Sequence, residues 1–117
     1  MNTGIRIQQI AKRVQKELGT IFLTESARLL GNAFISVTAV DLSSDLSLAK
    51  VYISFSLHDE EEMLLKKIDG YKNTIRRLLG KRVAGKMHKV PNLKFIIDRS
   101  VVQGDRVAAL ISLLSKH

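Results

Sequence analysis

The chain of 117 residues contains no cysteine, no tryptophan and a single proline. The absence of cysteine excludes a disulfide framework and any zinc site with cysteine ligands, and it fits a reducing compartment. The sequence also lacks the apolar run of about 18 residues that a membrane span needs, and residues 1–16 lack the continuous apolar stretch of a signal peptide. We therefore expect a cytoplasmic, monomeric protein of one domain, residues 1–117, with no membrane association.

Aromatic side chains are scarce, at 5% of the sequence. The four phenylalanines fall on or near faces that the apolar pattern predicts to be buried, and Tyr52 alone is predicted to face outward. A protein that binds single strands by stacking needs about two or three exposed aromatics. The sequence therefore predicts contact with a phosphate backbone and its shape rather than with a row of stacked bases.

Acidic residues are absent between Asp69 and Asp98. The chain has 19 Lys and Arg and 11 Asp and Glu, and eight of the basic residues lie in this segment, so the remaining 11 balance the acids. A solvated helix face normally mixes charges of both signs, so this placement favours a phosphate-binding surface. The eight are Lys72, Arg76, Arg77, Lys81, Arg82, Lys86, Lys89 and Lys94.

Apolar periodicity predicts a first helix over about residues 5–29, followed by two strands that pair as an antiparallel hairpin. In the first strand, residues 34–40, Ile35, Val37 and Ala39 are predicted to share one face. In the second, the inward positions are Ala49, Val51, Ile53 and Phe55.

A long helical region is predicted after the hairpin. A third strand is predicted to follow it, because Leu93, Phe95 and Ile97 alternate with Lys94 and Ile96. The spacing of Val107, Leu110, Ile111 and Leu114 predicts a short amphipathic C-terminal helix over about residues 103–116. The order α-β-β-α-α-β-α predicts a two-layer α+β fold with helices over a three-stranded sheet.

The apolar stripe of the long helical region changes direction after Leu79. At 100° per residue, Val83, Ala84 and Met87 lie roughly 140° from the earlier stripe. We therefore expect a kink at Gly80, Ala84 and Gly85 that divides the region into two helices. Val83, Met87 and Leu93 are assigned to the core.

No motif predicts catalysis. Residues 80–86 match the spacing G-x-x-x-x-G-K, but Met87 stands where a nucleotide-binding loop needs Ser or Thr, and no strand precedes the segment. His58, His88 and His117 have no metal-ligand spacing. We expect a protein that is not an enzyme and has no cofactor or metal.

The element order resembles a type II KH domain, but no G-x-x-G loop lies between the two helices. The whole pattern resembles the ribosome-binding factor A family, and the likeness covers nearly the full chain. That family marks its helix kink with Ala-x-Gly before an Ile-Arg pair, whereas residues 71–74 here are Tyr-Lys-Asn-Thr. The matching segments are Arg13-Val14-x-Lys16-Glu17-Leu18, Ile35-Ser36-Val37-Thr38-x-Val40, Ser44-Asp45-Leu46, residues 49–54, Ile75-Arg76, Leu79-Gly80-Lys81-Arg82, Val90-Pro91-x-Leu93-x-Phe95 and Asp98-x-Ser100.

The resemblance implies a ribosome biogenesis factor that binds the immature small (30S) subunit and its 16S ribosomal RNA near the decoding region. It also implies a role in rRNA processing and in growth at low temperature, alongside other assembly factors. The basic segment supplies the predicted RNA-binding residues Arg76, Arg77, Lys81, Arg82, Lys86 and Lys89. The first helix supplies the second-rank contacts Lys12, Arg13 and Lys16.

Two other functions remain open from the residues alone. The basic face could belong to a protein-interaction module that meets an acidic protein or a membrane surface. Binding of double-stranded DNA is the third interpretation, although no recognition helix for the major groove is evident.

Overall fold

A three-stranded sheet lies at the centre of the fold, in a computed structural model that describes residues 2–30, 34–56, 60–85, 87 and 89–98. The predicted order of elements is confirmed through the third strand. The predicted C-terminal helix, residues 103–116, lies outside the described residues. The elements are α1 (Asn2–Leu30), β1 (Phe34–Leu42), β2 (Leu48–Ser56), α2 (Glu61–Gly70), α3 (Lys72–Arg82) and β3 (Asn92–Ile97).

The sheet has the strand order β1-β2-β3. Strands β1 and β2 form the predicted antiparallel hairpin, with Ile35 opposite Phe55 and Leu42 opposite Ala49. Strand β3 is parallel to β2, so α2 and α3 form the crossover connection that parallel pairing requires. The α+β architecture is thereby confirmed.

The inward face of the sheet follows the predicted alternation on two of its strands. Ala49, Val51 and Ile53 are fully buried on β2, and Leu93 and Phe95 are buried on β3. The helices supply the opposite layer of one core. Its helical members and the residue that follows α3 are Ala11, Val14, Leu18, Ile21, Phe22, Leu64, Ile68, Ile75, Leu79 and Val83.

Strand β1 departs from the predicted alternation at Thr38. Val37 pairs with Ile53 and Ala39 pairs with Tyr52, so Thr38 is the extra residue of a β-bulge. The extra residue reverses the facing of everything after it, and Ala39 is therefore exposed, contrary to the prediction, whereas Leu42 is buried. The Thr38 hydroxyl donates to Asp98 Oδ2 at 2.7 Å and lies 3.2 Å from the carbonyl oxygen of Tyr52.

The predicted kink at Gly80, Ala84 and Gly85 is wrong, because it does not divide the helical region into its two helices. The helices divide at Tyr71, where φ is −101° and ψ is 10°, and α3 continues through Gly80 to Arg82. Backbone hydrogen bonds continue on both sides, since Tyr71 N donates to Ile68 O at 3.0 Å and Tyr71 O accepts from Ile75 N at 2.9 Å.

The apolar stripe is continuous because Tyr71 and Ala84 do not belong to the core. Tyr71 is 43% exposed and Ala84 is exposed. The buried residues Ile75, Leu79 and Val83 recur every four residues, so they lie on one helical ridge without any kink. The core assignments of Val83 and Leu93 are confirmed, and Met87 is half-buried.

The two glycines have other functions. A Cβ atom at Gly80 would lie 3.0 Å from Val90 Cγ2, so this position allows the segment before β3 to pack closely on α3. Gly85 has φ +84°, a left-handed conformation that other residues adopt only with strain, and it lies in the turn that follows α3.

Candidate nucleic-acid interface

Helices α1 and α3 are joined by one carboxylate that holds two of the predicted RNA-binding arginines. Glu17 Oε2 accepts from Arg13 Nε at 2.9 Å, and Glu17 Oε1 accepts from Arg82 Nε at 2.8 Å. We call this arrangement the Glu17 bridge. Glu17 and Arg82 are 65 positions apart in sequence, so the bridge links two distant parts of the chain.

The Glu17 bridge keeps its carboxylate ionised. The hydrogen bond from Arg82 is the largest cause that holds the pKa of Glu17 below its ordinary value, with Arg13 adding in the same direction and partial burial opposing it. Each arginine meets Glu17 through Nε, and the Arg13 and Arg82 side chains remain 47% and 43% exposed. The bridge therefore orients two guanidinium groups at the surface.

Arg76 has a different environment from the other predicted RNA-binding residues. Its Nε donates to the carbonyl oxygen of Pro91 at 3.0 Å, and its Nη2 donates to that of Val90 at 3.0 Å. The side chain is half-buried, and Pro91 is buried. Arg76 therefore fastens the segment before β3 onto α3, with two of its five N–H donors bonded inside the protein. We call this arrangement the Arg76 clamp.

The other predicted cations of the basic segment lie on the surface where the structure describes them. Arg77, Lys81 and Lys89 are exposed, and Lys81 lines a shallow groove beside Arg82 and Ile21 of α1. Lys86 is outside the described residues. The structure thus joins the end of α3 to the middle of α1 as one surface, on which the cations lie beside the acidic residues Glu17 and Glu25.

The second-rank residues of α1 divide between two sides of the helix. Arg13 belongs to the Glu17 bridge, and Lys16 is exposed one turn from Lys12. Lys12 lines a groove with Ala39 and Val40 of β1, away from α3. Lys12 is therefore separated from the basic surface that Arg13 and Arg82 form.

The sequence pattern did not reveal the importance of Glu17 or Arg6. Arg6 precedes Arg13 by seven residues, so both lie on one side of α1, and both line a cleft with Val83. The heptad spacing of the two arginines was a usable signal. The partnership of Glu17 with Arg82 has no local signal, because it depends on how α1 packs against α3.

The outer face of the sheet carries additional cations. Lys50 and Lys94 are register partners on β2 and β3, and Asp41 of β1 is opposite Lys50. Tyr52 is half-buried on this face, next to Ile96 in register. This set is mixed in charge, unlike the surface of α3.

Neither a metal centre nor a membrane helix is found in the part of the chain that the structure describes. That part contains no group of three or more His, Cys, Asp or Glu that could hold a metal ion. None of its helices is long and apolar enough to cross a membrane.

Comparison with protein families gives one consistent match. A family model described as "Ribosome-binding factor A" matches residues 6–111. A protein of that name from Cytophaga hutchinsonii is 36% identical over 112 residues, covering 96% of this chain and 84% of the relative. Another from Alteromonas mediterranea is 34% identical over 110 residues, covering 92% of this chain and 81% of the relative.

Solved structures agree with this match. The crystal structure of ribosome-binding factor A from Thermus thermophilus superposes with a TM-score of 0.66 at 24% identity, covering 80% of this chain and 97% of that one, which shows the shared fold. A Thermus thermophilus homology model, fitted into a cryo-EM map of a 30S–RbfA complex, superposes with a TM-score of 0.60 at 26% identity, covering 76% and 91% of the two chains.

Proposed function

The chain belongs to the ribosome-binding factor A family, and from this premise we propose that it binds the immature small ribosomal subunit through its 16S ribosomal RNA. The proposed contact surface is formed by α3 and the adjoining side of α1. Its leading members are the exposed or bridge residues Arg77, Lys81, Arg82 and Arg13. Lys16 and Lys89 are further exposed cations that we include, Lys12 and Arg76 lie at its margins, and Lys86 is included from the sequence alone.

The observation that carries the proposal is the segregation of charge onto α3 and the segment after it. Helix α3 contains Arg76, Arg77, Lys81 and Arg82 and no acidic residue. Arg77 and Lys81 are exposed and take part in none of the ion pairs recorded among the described residues. Phosphate contacts supply most of the sequence-independent affinity of a nucleic-acid binder, so cations of this kind are suited to an RNA backbone.

Such a factor works by differential binding rather than by catalysis. A ligand shifts a conformational equilibrium only to the extent that it binds one state better than the other. We propose that the chain stabilises an immature conformation of the RNA and assists processing of the RNA ends, which nucleases carry out. It leaves once the mature fold removes the binding site. A factor of this kind acts in the cytoplasm, where subunits are assembled.

The test is co-sedimentation with small subunits on sucrose gradients at 50 and 200 mM salt. We expect the protein to migrate with immature subunits at low salt and to bind mature subunits less tightly. The double substitution Arg77→Gln and Lys81→Gln should weaken binding and lower the slope of log K against log salt by about 2. The control is Lys66→Gln with Lys67→Gln, which removes the same charge from exposed positions of α2.

Two results would contradict the proposal. Equal affinity for mature and immature subunits at matched salt would refute the differential mechanism. Migration only at the top of the gradient at both salt concentrations would show no subunit binding and would favour the protein-interaction module. Salt dependence separates the two further, because six to eight phosphate contacts predict about 10³-fold weakening between 50 and 200 mM salt, whereas an interface with an apolar centre responds less.

A further inference from the structure

A cleft lies between the N-terminal half of α1 and the turn that follows α3. Its volume is about 310 Å³, at the lower end of the roughly 300–1,000 Å³ that ligand pockets occupy. It therefore has room for one group of nucleotide size and not for a duplex. The lining residues are Arg6, Gln9, Ile10, Arg13, Val83 and Met87. We call it the α1–α3 cleft.

The lining of the α1–α3 cleft is divided by chemistry. Ile10, Val83 and Met87 are aliphatic, and Val83 is only 1% exposed, which places it in the floor. Arg6 and Arg13 contribute two guanidinium groups, and both are exposed. A ligand that matches this lining carries an anionic group together with an apolar face.

The cleft adjoins the proposed RNA surface through Arg13. The Glu17 bridge holds Arg13 by its Nε atom. Because Glu17 also holds Arg82, the position of one cleft arginine is coupled to the end of α3. A strand that follows the basic surface of α3 therefore reaches the cleft by way of Arg82 and Arg13, the two arginines that Glu17 holds together.

We propose, on the basis of the function proposed above, that the α1–α3 cleft binds one unstacked nucleotide of the RNA. Its phosphate is bound by Arg6 and Arg13, and its base lies against the aliphatic floor of Ile10, Val83 and Met87. Gln9 carries both a donor and an acceptor and is placed to bind the edge of the base. RNA-binding proteins stack splayed-out bases on aromatic rings or on arginine guanidinium planes, and pockets for a flipped base also use apolar side chains. A site for a single base therefore suits a chain with few exposed aromatics.

The test uses a pair of adjacent substitutions that change the charge equally. Gln9→Glu places a carboxylate in the α1–α3 cleft, whereas Gln8→Glu places one on the β1 side of α1, in the groove that contains Lys12. Both residues are exposed, so both variants should fold. We expect Gln9→Glu to weaken binding of a single-stranded RNA oligonucleotide about tenfold, as for loss of one charge-assisted contact, and Gln8→Glu to weaken it less than about threefold.

A second measurement locates the ligand without the ribosome. Adenosine and uridine 5′-monophosphates are titrated into the ¹⁵N-labelled full chain and followed by NMR. We expect amide shifts at Gln9, Ile10, Arg13 and Val83, smaller shifts with the nucleosides, and shifts from inorganic phosphate confined to the arginines. Gln9→Glu should abolish the nucleotide shifts.

The outcomes separate this proposal from the function on which it rests. If subunit binding is retained but Gln9→Glu and Gln8→Glu weaken it equally, the cleft proposal is overturned and the proposed function stands. If subunits are not bound at all, the proposed function fails, and the absence of nucleotide shifts overturns the cleft as well. If a hexaglutamate peptide displaces the nucleotides and binds more tightly, the occupant is an acidic peptide and the proposal is overturned.

Discussion

Substitution of Arg76 by alanine should lower the free energy of unfolding more than substitution of its neighbour Arg77. The two arginines are adjacent on α3 and carry the same charge, but only Arg76 donates to two carbonyl oxygens, at 3.0 Å each. Arg77 is exposed. A difference in stability between the Arg76 and Arg77 variants therefore measures the two hydrogen bonds of the Arg76 clamp, and not the loss of a positive charge.

The magnitude follows from the two hydrogen bonds of the Arg76 clamp. Hydrogen bonds to charged groups contribute about 1.5–3 kcal/mol each and ordinary ones about 0.5–1.5 kcal/mol. Half-burial lowers these two to about 1–1.5 kcal/mol each, so Arg76→Ala should cost about 2–3 kcal/mol. For a chain of this length, about 4 °C of Tm corresponds to each kcal/mol, which gives a fall of roughly 8–12 °C. Arg77→Ala should change the free energy of unfolding by less than about 0.5 kcal/mol.

The assay is urea denaturation followed by circular dichroism, with thermal melts alongside. Arg76→Lys is the informative variant, because it keeps the charge but cannot reproduce the planar fork that reaches both carbonyls. We expect it to lose at least half of what Arg76→Ala loses. If Arg76→Ala is as stable as Arg77→Ala, the clamp contributes nothing and Arg76 belongs with the surface cations.

Three further predictions concern the turn, the Glu17 bridge and the end of α3. Asp45 Oδ1 accepts from the hydroxyls of Ser43 and Ser47, and these bonds, Ser43 first, lower its pKa from 3.8 to about 2. The stabilisation from Asp45 is therefore present above pH 3.8 and lost as the pH falls toward 2. Ser43→Ala should raise the pKa of Asp45 toward 3.8, measured by a carboxyl ¹³C titration. An unchanged pKa would contradict the role of the Ser43 hydroxyl. The lowered pKa of Glu17 has the same sign, so its contribution is complete above its ordinary value of 4.5 and is lost in more acidic solution. Glu17→Gln should accordingly make unfolding less dependent on pH below 4.5, measured by melts across that range, and an identical pH profile would argue against the bridge. Gly85→Ala should cost about 1–2 kcal/mol in denaturation, because φ is +84°, whereas the added Cβ meets no described residue within 4 Å other than its chain neighbours. A neutral effect would show that the turn relaxes at no cost.

The fold was predictable where one face of an element is buried along its whole length. Val51 and Ile53 on β2, and Leu93 and Phe95 on β3, alternate strictly because helices cover one face of the sheet and not the other. The bulge at Thr38 was not predictable, since a single extra residue leaves the composition of β1 unchanged while reversing its facing.

The sequence predicts the charge of the candidate site but not which of its side chains contact the rest of the protein. The absence of acids from residues 70–97 identifies α3 as basic. It does not distinguish Arg76, which turns inward to Val90 and Pro91, from Arg77, which stays exposed. That difference depends on a segment 14 residues away along the chain returning to pack on α3, and only the tertiary structure supplies it.

The parallel pairing of β3 with β2 has a consequence for synthesis of the chain. β2 ends at Ser56 and β3 begins at Asn92, so 35 residues are made between the two strands. At about 5–20 residues per second, the edge of β2 that β3 will occupy stays unpaired for about 2–7 s after β2 is complete. Exposed strand edges template association with other chains, so the nascent protein passes through an interval in which β2 is its most vulnerable element. A chain truncated before Asn92 would keep that edge unpaired permanently, and we expect such a chain to self-associate.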